Sequence, residues 1–413
     1  MANKKLSKSE LTEKILNKYK INPEQLDYSA LKEFKEKVKD LSDSRQKGKC
    51  KYKIWDIVVV SFLAILGNCN DWEEIREFAV LKKSWLKKFL LLTGGIPSAA
   101  TYKRVFSIIE PNELENICVL FAQDVLKIFS SDRDILNIDG KTDNGSRRNE
   151  SEIREKVKAL NILNVYSNNF GMCVASSKID DKTNEITTIP SLLEKVKVKG
   201  NIITWDALNT QKKNIEIVKK LKGDYVVPIK LNQESFYNDL VLYFDNKQLE
   251  TIKACGTKNT YLKEMEKSHS SIITYEYFQT EDISWYYDIK SWKGIKTFGL
   301  VKKTIETKNN KSTEIRYYIS SLYNDIETFR NAIRGHWSVE NKLHWHLDFT
   351  FKQDDNSTMD KNALYNLQIL KKLALVFLND VKRVYNRSLR IIRFKLSLNY
   401  EEEILRFFNI LAH

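Results

Sequence analysis

Cysteine, proline and glycine are all scarce in this chain: 5, 5 and 13 of 413 residues. The cysteines (Cys50, Cys69, Cys118, Cys173, Cys255) form an odd, scattered set with no close pair. That pattern argues against a disulfide framework or a zinc site and points to a reducing, cytoplasmic setting. So little proline and glycine excludes collagen-like and low-complexity chains. Long apolar runs are missing as well. None reaches the ~18 residues of a membrane span. The longest candidate, around Val58 to Leu66, lies too far from the N-terminus to be a signal peptide. No membrane partner is therefore expected. Acids are the other deficit: 54 Asp and Glu face 68 Lys and Arg, a net charge of +14.

What remains is an ordinary globular composition, 42% hydrophobic and 30% charged. At roughly 150 residues per domain the length suggests two or three domains, enough to bury a core without covalent staples. The positive charge favours a polyanionic partner, although a lysine-rich composition alone raises the net charge too. Its distribution says more. Residues 1–55 hold 15 Lys and Arg against 8 acids, and Arg45, Lys47, Lys49, Lys51 and Lys53 alternate with no acid among them. That stretch reads as a solvated linker or as a phosphate-contacting arm.

The first 130 residues read as helical. Ile54 to Leu66 is apolar and stops at Gly67. Trp72, Ile75, Phe78 and Ala79 recur at helical spacing, as do Trp85, Leu86, Phe89 and Leu90. After Gly94, Gly95 and Pro97, Ser98 can cap a helix carrying Lys103 and Arg104, candidates for a DNA groove. From Asp134 the pattern predicts strands at Ile135–Ile138, near Ala159–Tyr166 and at Met172–Ile179. A helix at Ile189–Val196 with Pro190 in its first turn follows, then a strand at Ile202–Thr204, a helix at Lys212–Leu221 and a strand at Tyr225–Ile229. This order predicts a mixed sheet with helices on both faces. Residues 234–325 read as an antiparallel insertion with strands at Ile272–Phe278, Phe298–Ile305 and Ile315–Ser320. Helices return at Glu327–Arg334, around Glu340 and at Ala363–Val381, and no internal repeat is visible.

Two of the predicted core strands end in aspartates, Asp139 and Asp206. Functional residues of such sheets gather at the carboxyl ends of strands, although strand-end aspartates also serve simply as turn formers. Two carboxylates brought together repel and are usually compensated by a divalent cation. Glu340 supplies a third acid, on a predicted helix face shared with His336, His344 and Asp348, beside a stripe of Trp337, Asn341 and Trp345. Such a polar face is costly to bury without partners or a function. Two aspartates and a glutamate can hold two metal ions, one activating a water or 3′-hydroxyl and one stabilising the leaving oxygen of an in-line displacement at phosphorus. His336, His344 and His346 also invite a zinc reading, but no fourth soft ligand lies nearby. Trp285 and Trp292 read as core residues or, for one of them, as a stacking platform for an unpaired base.

From about Asp43 to Leu405 the chain resembles the bacterial DDE-type insertion-sequence transposases, specifically the H-repeat-associated (ISAs-type) group. The resemblance rests on GIPSAATYKRVF (95–106), IDGKT (138–142), DDKTNEITTIPSLL (180–193), TWDALNTQ (204–211), GDYVVPIKLNQ (223–233) and RGHWSVENKLHWHLDFTF (334–351), in that order. It implies an α/β fold: a ribonuclease-H-like mixed-sheet catalytic core (131–233 and 326–413), a β-rich insertion (234–325) and an all-α N-terminal DNA-binding domain (1–130). It further implies Asp139, Asp206 and Glu340 as a catalytic triad holding two magnesium or manganese ions, with no other cofactor. Lys141, Lys182, Asn184, Gln211, Lys230, Asn232 and Gln233 would line the DNA or order the acidic loop, and Arg334, His336, Trp337, Asn341 and His344 would join them as nucleic-acid contacts. His336 stands where the wider superfamily carries an Arg. The implied partners are double-stranded DNA (terminal inverted repeats and target) and a second copy of the chain in a synaptic homodimer, in a nucleoid-associated bacterial protein.

Some positions depart from that pattern. Asn144 replaces an Arg, Ser270 and Ser271 replace Gly-Arg after His269, Gln353 stands where an acid is common, and Ala99 and Ala100 replace a polar pair. These departures keep open a DNA-binding protein of the same fold, decayed or domesticated, that has lost catalysis. A structure-selective nuclease is the third reading.

Overall fold

The computed structural model describes residues 28–127, 133–146, 159–180, 183–268 and 271–412. Lys182, His269 and residues 1–27 of the basic N-terminal stretch lie outside the described residues. The chain divides into two compact units, one of Met1–Ser130, Thr142–Asn161 and Glu340–His413, the other of Ser131–Lys141 and Ile162–Val339.

The first unit is helical: α1 (Ser29–Val38), α2 (Ile54–Leu66), α3 (Trp72–Leu81), α4 (Lys83–Leu86), α5 (Ala99–Ile108) and α6 (Pro111–Leu126). Its carboxyl-terminal part adds two π-helical segments, Glu340–His344 and His346–Thr350. In chain order the later helices, numbered after those of the second unit, are α12 (Lys361–Tyr385), α13 (Leu389–Leu398) and α14 (Tyr400–Ala412). Helix α2 is apolar nearly all round and correspondingly buried, as expected for a central helix. It stops at Gly67, where a Cβ would stand 2.7 Å from the Tyr400 ring, and the Tyr400 hydroxyl donates to the Leu63 carbonyl. Side chains cap α3 (Asp71), α5 (Ser98) and α12 (Asp360), each accepting a first-turn amide hydrogen. Phe34, Phe62, Phe121 and Phe377 stack and edge-pack where α1, α2, α6 and α12 meet.

The second unit is built on a nine-stranded sheet of order β3-β2-β1-β4-β5-β9-β8-β7-β6. The strands are β1 (Ile135–Asp143), β2 (Leu160–Ser167), β3 (Met172–Ile179), β4 (Ile202–Trp205), β5 (Asp224–Ile229), β6 (Asn259–Ser268), β7 (Ser271–Thr280), β8 (Thr297–Glu306) and β9 (Lys311–Ser320). Its helices are α7 (Glu185–Glu194), α8 (Lys212–Lys220), α9 (Glu234–Tyr243), α10 (Asn246–Lys253) and α11 (Ile326–Val339). Strands β1, β4 and β5 run parallel, and β5, β9, β8, β7 and β6 are successively antiparallel. One apolar cluster joins Ile138, Leu192, Trp205, Tyr225, Phe236, Trp292 and Phe298. A second joins Ile202, Val226, Tyr277, Tyr318, Phe329 and Ile333. Alternate residues of β4 and β5 fall in different clusters, so both faces of this sheet are covered.

Three details differ from the sequence expectation. Strand β1 does not end at Asp139 but runs on to Asp143. Pro190 lies inside α7, whose first residue is Glu185, rather than in the first turn. Residues 234–325 are not purely antiparallel strand: they open with α9 and α10, and their strands β6–β9 continue the main sheet.

Candidate active site

Asp139 and Asp206 occupy equivalent places on adjacent parallel strands. The β1–β4 register pairs Ile138 with Trp205, and each aspartate is the next residue. Ile138 and Trp205 are fully buried and anchor both backbones. Parallel neighbours present the same end at the same edge, so the two acids share the carboxyl edge of the sheet. The Asp206 side chain is 60% exposed, open to a ligand.

His336, on α11, reaches this edge. Its Nε2 lies 3.6 Å from Asp206 Oδ1 and its Nδ1 3.4 Å from Thr204 Oγ1. Helix α11 can approach because Gly335 lacks a side chain: a Cβ there would sit 2.1 Å from Asn168 Nδ2. The Thr204 hydroxyl donates to Asn137 Oδ1, and Asn137 Nδ2 donates to the Tyr166 carbonyl and to Asn168 Oδ1. The imidazole beside Asp206 holds its carboxyl below the usual range against the opposing effect of burial, with Lys230 and Arg316 adding to it.

The segment after Asp206 is held by side chains acting on its backbone. Asn232 Nδ2 donates to the Ala207 carbonyl, Gln211 Nε2 to Leu208, and Gln233 Nε2 to Thr210. Asn209, fully buried, donates from Nδ2 to Glu185 Oε2 at 2.9 Å. Glu185 and Asn209 were not singled out in the sequence, although both lie inside segments that carry the family resemblance. Asn184 caps α7, accepting from Thr187 N in a capping box. Lys230 is exposed and Lys141 half-buried. Arg334 pairs with Glu266 and lies over the Tyr275 ring, and the Arg316 guanidinium stands 5.0 Å above the Trp337 ring. Trp292 is a core residue, whereas Trp285 is partly buried and stacked on Tyr243.

In the helical unit Glu340 opens the first π-helical segment, an irregularity common at functional sites. Its carboxylate is 71% exposed and lies 3.2 Å from Nδ1 of His344, which is buried. His346 bonds Thr350, and burial pushes its imidazole down to about 4. Asn341 is exposed, as is Arg104, while Lys103 is half-buried on α5. Asn144, the replacement for an expected Arg, bonds the Asp354 carboxylate through its amide and side chain. Gln353 is buried.

The donors suit a hard divalent cation. Asp139 and Asp206 offer carboxylate oxygens, which magnesium and manganese prefer. Two carboxylates at one sheet edge, one of them largely exposed, are the kind of group such an ion compensates.

The family described as "Transposase DDE domain" matches residues 130–377, and "DDE_Tnp_1-associated" matches residues 35–122. YncI of Escherichia coli O157:H7, which carries a transposase name, is 32% identical over 88% of this chain and 92% of its own. YhhI of Escherichia coli K12, named as H repeat-associated, is 30% identical over 87% of this chain and 93% of its own. Among solved structures, a piggyBac transposase synaptic complex with hairpin DNA aligns with 91% of this chain and 80% of its own at 11% identity and a TM-score of 0.37, a level at which neither fold nor function transfers. The chain belongs to the DDE-type insertion-sequence transposases, with the H-repeat-associated proteins among its relatives.

Proposed function

We propose that this transposase cuts the phosphodiester bonds at the terminal inverted repeats of its own element and joins the freed 3′-hydroxyls to target DNA. Asp139, Asp206 and Glu340 would hold two magnesium or manganese ions. Once bound, the ions supply Lewis acidity at the scissile phosphate and lower the pKa of an attacking water or 3′-hydroxyl. The chain's own residues orient and neutralise. His336 holds the Asp206 carboxylate from one side, and the braces from Gln211, Asn232 and Gln233 hold the backbone behind it. Lys230 and Arg104, both exposed, would each meet phosphates, which supply most of the affinity for duplex DNA. A homodimer would bring two transposon ends together.

The observation that carries this reading is the placement of Asp139 and Asp206 side by side, one residue past Ile138 and Trp205. The order β3-β2-β1-β4-β5, with the acids at the carboxyl edge, supports a ribonuclease-H-like core. The test is nicking of a duplex bearing the element's terminal inverted repeat. Cleavage should require magnesium or manganese, produce strand-transfer products, and vanish in Asp139→Ala. Cleavage that persists in Asp139→Ala overturns the triad. A specific gel shift with no metal-dependent cleavage by the wild-type chain replaces the enzyme with a DNA-binding protein of the same fold.

A further inference from the structure

We infer that Glu185 is a positioning residue that clasps the two aspartate-bearing segments to each other. It is the first residue of α7, where the helix dipole favours a carboxylate. Both of its oxygens face protein groups. Oε2 accepts from Asn209 Nδ2 at 2.9 Å. Asn209 closes the 3-10 turn that starts right after Asp206, and its amide donates to the Asp206 carbonyl at 3.0 Å. Oε1 lies against Gly140, the residue after Asp139, occupying the space of a side chain: a Cβ built on Gly140 would stand 2.3 Å from it. One carboxylate therefore touches the residue beyond the first aspartate and the turn beyond the second. A Cβ at Gly140 would force this carboxylate to shift, and Asn209, whose side-chain amide meets the carboxylate, is fully buried.

The strand pairing that sets the spacing of the acids stops at Ile138 and Trp205, one residue short of both. Past that point β1 and the segment after β4 are no longer paired with each other, and Glu185 bridges them from a third element. Partners of this kind, which orient ligands without binding metal, govern affinity nearly as strongly as the ligands do. The inference rests on the proposal that Asp139 and Asp206 are metal ligands.

Manganese alone, titrated calorimetrically into the full-length chain, tests it. Glu185→Ala should bind manganese about 10-fold or more weakly. Glu185→Gln should remain close to wild type, because its amide oxygen still accepts from Asn209 and fills the same space. Equal weakening in both variants overturns the clasp, since charge and not contact would then be the active property, and wild-type binding in both overturns it too. Gly140→Ala pushes the same carboxylate off its seat. It should weaken binding, and its loss should not add to that of Glu185→Ala in the double variant. If Glu185→Ala does not fold, a wild-type isotherm in Gly140→Ala overturns the clasp. Asp139→Asn separates this inference from the one beneath it. Manganese binding that survives Asp139→Asn overturns the metal assignment and the clasp with it. Binding lost in Asp139→Asn but intact in Glu185→Ala overturns the clasp alone.

Discussion

The hydrogen-bond directions around His336 fix how its ring meets Asp206. Asn137 Nδ2 donates to the Tyr166 carbonyl and to Asn168 Oδ1, so its Oδ1 is the acceptor for the Thr204 hydroxyl. With that single proton committed, Thr204 Oγ1 turns its lone pairs toward His336 Nδ1, 3.4 Å away. The ring is thereby oriented with Nε2 toward Asp206, 3.6 Å from Oδ1. A buried chain of amides and hydroxyls thus aims the imidazole from behind, much as a second set of residues aims ligands in metal enzymes.

His336→Ala removes the group that meets Asp206 while leaving the core intact. DNA cleavage should fall about 10-fold or more, with unchanged thermal melting. His336→Arg should recover part of the loss, because its guanidinium can pair with Asp206. Full cleavage by the alanine variant would remove His336 from the machinery.

Asp143 titrates against stability in the helical unit. Burial, together with the nearby Asp354 charge, pushes its carboxyl up to about 6, despite hydrogen bonds from Gln353 and the Ser146 amide. A raised carboxyl binds its proton more tightly when folded, so stability falls as pH rises from the unfolded value near 3.8 through about 6 and stays lower above it. At about 1.4 kcal/mol per pH unit the cost is about 3 kcal/mol or less. Asp143→Asn keeps an acceptor for Gln368 Nε2 and should abolish this drop. Urea denaturation of both proteins between pH 4 and 8 would show it as a wild-type-minus-variant difference, and parallel curves would contradict it.

Trp292 and Trp285 should separate by stability. Trp292 is 2% exposed and packs on Phe236. Trp292→Ala should cost about 3–5 kcal/mol as a core cavity. Trp285 keeps part of its surface in solvent, so Trp285→Ala should cost less. Equal losses in chemical denaturation would place both rings in the same environment.

Asn232 and Lys230, two residues apart, should affect DNA differently. Asn232 donates to the Ala207 carbonyl, so Asn232→Ala should slow cleavage and leave the salt dependence of DNA binding unchanged. Lys230 is exposed, and Lys230→Ala should reduce the slope of log affinity against log salt by about 1. A reduced slope in Asn232→Ala would make that residue a phosphate contact.

Much of the local structure was legible in the sequence because short-range chemistry decides it. Gly67 ends α2, Ser98 caps α5, and the apolar run at Ile202 is β4. Strand β6 was not legible. Its residues Lys263, Glu264, Glu266 and Lys267 offer no apolar face, since it is an edge strand whose identity comes from pairing with β7. The π-helical turns at Glu340 were equally hidden, because a helix face drawn at regular spacing does not reveal where the spacing widens.

At the site, the sequence by itself determined which acids to consider, since strand-ending aspartates and a polar helix face are local patterns with a chemical meaning. Only the tertiary structure decided that Ile138 pairs with Trp205, that Asn137 and Thr204 aim His336, and that Glu185 lies against Gly140 and Asn209. The physical reason is separation along the chain. Residues within four of one another interact through backbone geometry that sequence patterns encode. Contacts such as Glu185 with Gly140 form only when packing has folded distant segments together, and a short polar contact leaves no periodic trace in either segment.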